Sequence, residues 1–309
     1  MPAAEPTFPL VLRRRLIGLA YGAMHSARRG MGSDVAGSRP YRPGDDIDAI
    51  DWAASARLSS AHAQDEFVVR ERFAEEAPRV VLLVDRRPAM ALYPPGLPWF
   101  SKPEAIRVAG SLIAESTVRS RGLVGYLDYA NGDEDPFWRP PSSKSEVHAV
   151  RERHLLWPRF DAPPDNVTQG LRWLQQLRGT LTPGSLLFVL SDFLVEPDEE
   201  AWARALERRW DLVPVVVQDP VWETSFPEIG GVTVPVADPE TGAIRPVRMT
   251  RREARARRAA NEERHARLLD WFRSFGLDPV VVASTGVVEV LGAFLAWADE
   301  RLWERRGTL

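Results

Sequence analysis

The sequence predicts an α/β protein built on a doubly wound, mostly parallel sheet. Short apolar runs alternate with helical patterns along most of the chain, and turn residues separate them. Strands that alternate with helices imply parallel neighbours joined by crossover helices, with helices on both faces of the sheet. The first part of the chain lacks this rhythm, and 309 residues allow about two domains. We therefore predict an N-terminal extension over residues 1–78 and a sheet domain over residues 79–309.

Continuous apolar runs predict the parallel strands, because strands buried on both faces lose the alternation of polar and apolar residues. Ser101 with Glu104 and Thr250 with Glu253 are spaced as capping boxes at the starts of two helices. A third helix starts near Pro197, with Asp198, Glu199 and Glu200 at the positive end of its dipole. The predicted strands cover residues 79–85, 123–129, 185–191, 211–217 and 277–283.

Two segments depart from the alternating pattern. Pro136 to Pro140 follow a cluster of turn residues, and we expect them to return as an antiparallel edge strand, where proline is tolerated. Residues 218–249 lack helical periodicity and contain Gly230–Gly231 among several prolines. We predict that this second segment forms a hairpin-like insertion.

Composition excludes several classes of protein. The chain has 40 Lys+Arg, 43 Asp+Glu and a net charge of -3, which is unlike a strongly basic nucleic-acid-binding protein. The arginine-rich helix after Thr250 carries interspersed acids, so we expect a solvated face and no nucleic-acid partner. The apolar runs are far shorter than the ~20 residues that a membrane span needs, and the N-terminus is a poor secretion signal. We expect a cytoplasmic protein with no integral membrane segment.

Catalytic and metal-binding motifs do not stand out in the sequence. The chain has no cysteine, no P-loop, no G-x-S-x-G elbow and no complete dinucleotide-binding fingerprint. Its 5 histidines do not pair at a metal-ligand spacing. We therefore expect no enzymatic activity and no cofactor.

Carboxylates at the ends of predicted strands mark a candidate site. Ligands of open α/β sheets bind beyond the carboxyl ends of the strands, where the strand order reverses. Asp85 and Asp192 fall at two such ends, and Asp165 and Thr168 begin a helix that can approach the same edge. Oxygen ligands there would suit a hard cation such as Mg2+. The alternative is that both strand-end aspartates only cap the turns or helices that follow.

This arrangement resembles the von Willebrand factor A fold. In that family the first strand ends in a D-x-S-x-S motif, whose Asp and two hydroxyls bind a divalent metal together with a Thr and a second Asp. The motif positions here are Asp85, Arg87 and Ala89, and the resemblance maps the second Asp to Asp192. The Thr position falls on either residue 165 or residue 168.

The two replaced hydroxyls change what the site can bind. Ala89 offers no oxygen, and the guanidinium of Arg87 is always charged and never accepts a hydrogen bond. We predict a degenerate site that binds no metal in the family manner. Our hypothesis is that Arg87 takes the place of the cation and pairs with Asp85 or Asp192.

A specific signature lies in the extension. The stretch GSRPYRPGDDIDAIDWAASAR, Gly37 to Arg57, resembles the signature of the bacterial family called domain of unknown function 58. That family couples the stretch R-x-Y-x-x-G-D-D-x-x-x-I-D-W-x-x-x-A-R to a von Willebrand A-like domain. The residues that match are Arg39, Tyr41, Gly44, Asp45, Asp46, Ile50, Asp51, Trp52, Ala56 and Arg57.

The signature residues have two alternative roles. As a scaffold, they form ion pairs that pin the extension to the sheet domain, with Trp52 as the buried anchor; as a surface, they face a partner protein. The resemblance implies a link to MoxR-type AAA+ ATPases and to chaperone-like assembly or maturation of other, unknown client proteins. We therefore expect a non-enzymatic adaptor, and the alternative function is a divalent-metal-dependent ligand-binding module of the von Willebrand A type.

Overall fold

The computed structural model describes most of the chain and divides it into two compact units. One is the extension unit, Gly18–Ala77, and the other is the sheet unit, Met1–Ile17 with Pro78–Leu309. The described residues are 6–13, 35–41, 50–62, 66–72, 77–91, 100–130, 135–144, 148, 155–156, 159–177, 179–238 and 243–306.

The described part of the extension unit contains two strands and one helix. Strand β1 (Val35–Pro40) pairs antiparallel with β2 (Val68–Arg72), and helix α1 (Trp52–His62) lies between them in sequence. The side-chain hydroxyl of Ser55 ties the helix to the strand pair, because it accepts a hydrogen bond of 2.9 Å from the backbone N–H of Val68.

The sheet unit contains most of the regular structure. Alternating strands and helices make up its central sheet and its two helical layers. In chain order its elements are β3 (Arg79–Val84), a 3-10 turn (Pro88–Ala91), α2 (Lys102–Arg119), β4 (Leu123–Asp128), β5 (Phe137–Ser142), α3 (Asn166–Gln176), β6 (Leu186–Ser191), α4 (Glu199–Glu207), β7 (Asp211–Val217), β8 (Val232–Ala237), β9 (Ile244–Met249), α5 (Arg251–Ser274), β10 (Val280–Val282) and α6 (Val287–Arg306).

The central sheet has six strands in the spatial order β10-β7-β6-β3-β4-β5. Neighbouring strands are parallel except β5, which pairs antiparallel with β4 at the edge, where its two prolines are tolerated. The strand order reverses between β3 and β6, which are parallel neighbours. This topology confirms the predicted fold class, a doubly wound and mostly parallel sheet.

Two hydrophobic cores cover the two faces of the sheet. One face packs against α2 and α6, through residues such as Ile113 and Phe294. The other packs against α3, α4 and α5, through residues such as Leu171, Trp202 and Phe272. None of the helices in the described ranges has an apolar stretch long enough to cross a bilayer.

The predicted insertion is a hairpin. Strands β8 and β9 pair antiparallel, and the hairpin has a small core of its own that includes Val234 and Met249. The backbone then enters α5 through a complete capping box between Thr250 and Glu253, as the sequence predicts.

The division of the chain differs from the prediction at the N-terminus. The extension was expected to cover residues 1–78, but residues 6–13 pack on the sheet unit, where Phe8 stacks on Phe294 with ring centroids 4.5 Å apart. The physical reason is a set of charges at the amino ends of β7 and β10. Arg301 binds both Asp211, through Nη1 at 2.8 Å, and Asp278, through Nε at 2.9 Å. Arg13 binds Asp278 through Nη2 at 2.6 Å. We call these four residues the amino-edge cluster.

Candidate functional site

Two aspartates meet at the carboxyl edge of the sheet. Asp85 follows β3 and Asp192 follows β6, and these strands are parallel neighbours at the point where the strand order reverses. The backbone N–H of Asp85 continues the ladder by donating to the carbonyl of Leu190 at 2.9 Å. Both aspartates are fully buried. The topology therefore brings together the two carboxylates that the sequence placed at this edge.

Arg87 lies between the two carboxylates. Its Nε and Nη2 donate to Oδ2 of Asp85 at 2.9 and 2.6 Å, and Nη2 also donates to Oδ1 of Asp192. The hypothesis allowed either aspartate as the partner, and the structure pairs Arg87 with both. Burial alone would lower the pKa of Arg87, but the two carboxylates outweigh burial and raise it. The guanidinium is a permanent cation of the site.

A second buried cation completes the site. Lys102, the first residue of α2, places Nζ 2.7 Å from Oδ2 of Asp192 and 2.5 Å from Oε1 of Glu223. Glu223 comes from the loop after β7, and its other oxygen accepts the backbone N–H of Asp219 at 2.8 Å. We call Asp85, Arg87, Lys102, Asp192 and Glu223 the carboxyl-edge cluster.

The cluster holds three carboxylates against two cations. Burial would raise the pKa of Asp192, but Lys102 and Arg87 more than offset it and, with the N–H of Leu194, hold that pKa at about 2. The pKa of Glu223 shifts the other way: burial raises it, Lys102 only partly offsets this, and Asp192 raises it further. Glu223 therefore takes up a proton more readily than an ordinary glutamate.

Neutral side chains fill the remaining hydrogen-bond positions. Asn166, at the start of α3, donates through Nδ2 to Oδ1 of Asp85 at 3.0 Å, and Ser191 donates through Oγ to Oδ2 at 2.6 Å. Gln218 donates through Nε2 to the carbonyl of Asp192 at 2.6 Å. Its Oε1 lies 2.9 Å from Nδ1 of His265. These contacts link the cluster to α3 and α5.

The backbone after Asp192 adopts a conformation that most residues avoid. Phe193 has a φ of 50°, in the left-handed region, although its side chain is bulky. This turn lets the N–H of Leu194 reach Oδ1 of Asp192 at 3.0 Å, and the ring of Phe193 packs on Phe272 at 5.0 Å between centroids. Strained residues of this kind cluster at functional sites.

A third strand end has the same chemistry. Asp128 ends β4, the other neighbour of β3, and its Oδ2 accepts from Nε of the buried Arg86 at 3.2 Å and from the hydroxyl of Tyr126 at 2.5 Å. The three adjacent central strands therefore each lead into an aspartate that a buried guanidinium contacts.

These residues do not fit a divalent cation. Oδ1 of Asp85 already accepts from the backbone and Nε of Arg87 and from Asn166, and Oδ2 accepts from Arg87 and Ser191. Ala89 is buried in the 3-10 turn and offers no oxygen. Across the described ranges, no three acidic or histidine side chains group in a way that would hold a metal ion. A dication here would lie against a guanidinium, which repels it.

The third position of the expected site is filled by a residue that the sequence analysis did not name. The two candidates were Asp165 and Thr168. Asp165 is exposed and accepts a hydrogen bond from Gln169 at 2.8 Å, and Thr168 is half-buried. Helix α3 contacts the cluster through Asn166 instead, because its first residue points its amide toward Asp85.

Two members of the carboxyl-edge cluster, Lys102 and Glu223, were also missed. The sequence carried one usable signal, at Lys102. This residue begins a helix, where the helix dipole disfavours a cation, and its position therefore indicates a carboxylate partner. Glu223 carried no such signal, because its loop reaches the cluster only through the tertiary fold.

The signature residues have separate structural roles. The carboxylate of Asp51 caps α1 by accepting the N–H of Ala54 at 3.0 Å, and Arg57 donates through Nε to the carbonyl of Ala53 at 3.1 Å. Tyr41 is half-buried and follows β1, which contains Arg39. Gly44, Asp45 and Asp46 lie outside the described residues.

The prediction that Trp52 is a buried anchor is wrong. Its side chain is 60% exposed and packs edge-to-face on Phe67, itself 44% exposed, with ring centroids 6.0 Å apart. The reason lies in the register of α1, which turns Ser55 inward and leaves Trp52 on the same exposed side as Ala56 and Arg57.

A surface pocket of about 460 Å3 opens at the carboxyl edge, between the loops after β7 and β10. Phe100, Val221 and Trp222 give it apolar walls. The hydroxyl of Ser284 in its lining accepts the N–H of Gly286, and Asp219 accepts the N–H of Val221. Its polar side chains thus support the loops.

Comparisons with known proteins match most of the chain. The family described as "Protein of unknown function DUF58" matches residues 37–268. Uncharacterized proteins of Mycobacterium bovis and Mycobacterium tuberculosis are each 26% identical over 250 residues, which covers 79% of this chain and 73% of theirs.

Solved structures show weaker similarities. BatB, a conserved hypothetical protein from Bacteroides thetaiotaomicron, is 14% identical with a TM-score of 0.37, over 72% of this chain and 99% of that one. An aerotolerance-related membrane protein from Bacteroides fragilis is 11% identical with the same TM-score and the same coverage. Similarity at this level says nothing about ligands or partners.

Proposed function

This chain belongs to the family described as protein of unknown function DUF58, and from that premise we propose that it is a non-enzymatic adaptor. It works with a MoxR-type AAA+ ATPase in the chaperone-like assembly or maturation of other proteins. We place this activity in the cytoplasm, where the ATPase would have its nucleotide.

The position of Arg87 is the observation that carries the proposal. A metal-dependent recognition site needs carboxylate oxygens that are open to a cation and to a ligand. In this chain the same oxygens are buried and bonded to Arg87, Lys102 and neutral donors. Removing the guanidinium to admit a metal would break a buried ion pair, which is costly. Recognition by this protein therefore relies on side chains rather than on a bound ion.

The exposed side of α1 is the surface we assign to the ATPase. We define the signature face as Trp52, Ala56 and Arg57, which are all exposed and lie one helical turn apart or adjacent. Tryptophan and arginine are the residues most enriched at binding hot spots. The Trp52–Phe67 contact holds the indole in place without burying it, which limits the entropy lost on binding.

Retention of a purified MoxR-type ATPase from the same organism on the immobilised chain tests this assignment. Trp52→Ala and Arg57→Ala are each expected to weaken retention about tenfold or more, as truncation of hot-spot residues does. Trp303→Ala is the matched control, because Trp303 is 75% exposed on α6 of the sheet unit. EDTA, added with no nucleotide present, is expected to leave retention unchanged.

Three outcomes would overturn the proposal. The first is that neither the wild type nor the control retains the ATPase. The second is that Trp303→Ala weakens retention as much as Trp52→Ala. The third is that retention without nucleotide requires Mg2+ and is lost in Asp85→Asn, which would favour the metal-dependent ligand-binding module.

A further inference from the structure

The insertion and the helix after it carry a dense group of cations. Residues 244–258 hold seven arginines and a single acidic residue, Glu253, which gives this stretch a net charge of +6 in a chain whose overall charge is -3. We call these arginines the arginine patch. Its members are Arg245, Arg248, Arg251, Arg252, Arg255, Arg257 and Arg258.

The fold places the arginines of the patch on two adjoining elements. Arg245 and Arg248 lie on β9, and the other members lie in the first turns of α5, which Thr250 joins directly to that strand. Six of the seven side chains are exposed, and Arg258 is half-buried. The cations therefore lie along β9 and the first turns of α5, and most of them are accessible to solvent.

Most of these charges have no partner among the residues that the structure describes. Glu253 is engaged in the capping box, and Arg255 has only a distant, exposed contact with Glu228 at 4.0 Å. Arg258 donates to a backbone carbonyl at 2.7 Å. Within the ranges that the structure describes, the other five members of the patch form neither an ion pair nor a side-chain hydrogen bond: Arg245, Arg248, Arg251, Arg252 and Arg257.

The stability of the fold does not explain the patch. Arg251 and Arg252 occupy the first turn of α5, where the helix dipole disfavours cations. Like charges three or four residues apart on a helix repel one another. Burial together with the nearby Arg257 lowers the pKa of Arg264, so the repulsion extends into the next turns. These cations cost stability, and an external anion would relieve that cost.

Apolar side chains accompany the cations. Val232, Ile244 and Val247 on the hairpin are 45%, 61% and 39% exposed. Arginine is enriched at protein interfaces, and more than half of the area of a typical interface is apolar. The stretch 244–258 contains no aromatic residue, although single-stranded nucleic acids are usually bound by stacking on aromatic rings.

The acids farther along α5 limit the kind of partner. Glu262 and Glu263 are exposed on the same helix. An extended anionic surface, such as a membrane, would meet these carboxylates as well as the arginines if the helix lay along it. A short acidic segment meets only the patch.

We propose that the arginine patch binds an acidic segment of a partner protein. The carboxylates of that segment pair with the guanidiniums of the patch, and the apolar residues of the segment pack on the hairpin. This surface belongs to the sheet unit, whereas the signature face belongs to the extension unit. The inference rests on the proposed adaptor function, which needs one surface for the ATPase and a second surface for the client protein. With the patch as the second surface, the client protein is one that carries an acidic segment.

Binding of a fluorescent poly-glutamate peptide to the full chain, followed by anisotropy, tests the proposal. The triple variant R245Q/R248Q/R252Q is expected to bind about tenfold more weakly, since it loses three exposed ion pairs with the peptide, each of modest strength. The matched control R172Q/R204Q/R267Q removes the same charge from side chains that are 51%, 60% and 70% exposed elsewhere. It is expected to bind like the wild type, as is Trp52→Ala.

Further arms separate the acidic peptide from other anions. Poly-glutamine is expected not to bind, and phosphatidylglycerol vesicles and duplex DNA are expected to bind more weakly than poly-glutamate at equal charge. Stronger binding to vesicles or DNA, equal weakening in the two triple variants, or no binding of poly-glutamate would each overturn the proposal. Trp52→Ala is expected to weaken the ATPase contact and to leave peptide binding unchanged. The outcome of the peptide experiment therefore does not depend on whether the ATPase binds the signature face.

Discussion

The carboxyl-edge cluster and the amino-edge cluster both pair arginines with aspartates, at opposite ends of the strands of one sheet. At the amino edge, Arg13 and Arg301 balance Asp211 and Asp278, and the contacts hold residues 6–13 against the sheet. Two of the four side chains there remain partly exposed, at 18–19%. This cluster fastens the N-terminal residues 6–13 to the sheet.

The carboxyl-edge cluster differs in charge, in burial and in what it connects. Its three carboxylates exceed its two cations, and the strand-end pair Asp85 and Asp192 is fully buried. It lies where open α/β sheets bind their ligands. At the amino edge, the arginine–aspartate pairs hold one segment of the chain against the sheet. At the carboxyl edge, in our account, the same kind of pair takes the place of a metal ion.

The largest expected effect is at Arg87. Arg87→Ala leaves two buried carboxylates without their shared cation, and breaking a buried pair in this way costs about 3–5 kcal/mol. Urea denaturation measures the loss. Arg204→Ala, which removes an exposed pair with Glu200, is the control and should cost no more than ~1 kcal/mol. Equal losses in the two variants would show that Arg87 is not central to the carboxyl edge.

A second change turns the carboxyl edge toward metal binding. The double variant R87S/A89S restores hydroxyls at both replaced positions, so we expect Mg2+ to stabilise it by about 2.7 kcal/mol at a concentration of 100 times its Kd. Thermal unfolding with and without Mg2+ measures this. Arg301→Ala is destabilised as well, but Mg2+ should not restore it, because the amino edge has no such hydroxyls. A Mg2+ response in both variants would remove the distinction between the edges.

The pH dependence of stability distinguishes the buried aspartate at the carboxyl edge. The pKa of Asp192 in the folded protein is about 2, below its ordinary value of 3.8. Its contribution is therefore fully present above about pH 4 and is lost as the pH falls through 2, which amounts to roughly 2 kcal/mol. Denaturation of the wild type and Asp192→Asn across this range is the test. The variant should lack this component, whereas Asp270→Asn, at an exposed position, should keep it.

The smallest expected effect is at the amino edge. Arg13→Ala removes a partly exposed pair, and Arg301 still binds both aspartates, so we expect a loss of about 1 kcal/mol. Hydrogen exchange of residues 6–13 should accelerate, while the carboxyl edge keeps its protection. Arg273→Ala, an exposed pair on α5, is the control. Unchanged exchange at 6–13 would mean that apolar contacts such as Phe8 on Phe294 hold this segment without Arg13.

Local signals in the sequence were enough for most of the fold. The apolar runs of β3, β6 and β7 and the capping box at Thr250 depend on neighbouring residues, so they could be recognised directly. Arg87 lies two residues after Asp85, and the contact between them follows from that spacing together with the topology of the sheet.

The rest of the site depends on tertiary placement. Lys102, Asn166 and Glu223 come from three separate segments, and no local pattern states that they meet. Trp52 shows the converse limit: a tryptophan in a helix suggests burial, but the way α1 packs on its strand pair leaves it outside. The packing of segments against one another, rather than local propensity, determines both the assembly of these site residues and the exposure of Trp52.

Calorimetric titration of the wild-type protein with Mg2+ and Mn2+ tests the central claim most directly. Because Arg87 holds the position between Asp85 and Asp192, we expect no binding heat above dilution for either ion. Stoichiometric binding that disappears in Asp85→Asn would contradict the account and assign metal-dependent recognition to this protein.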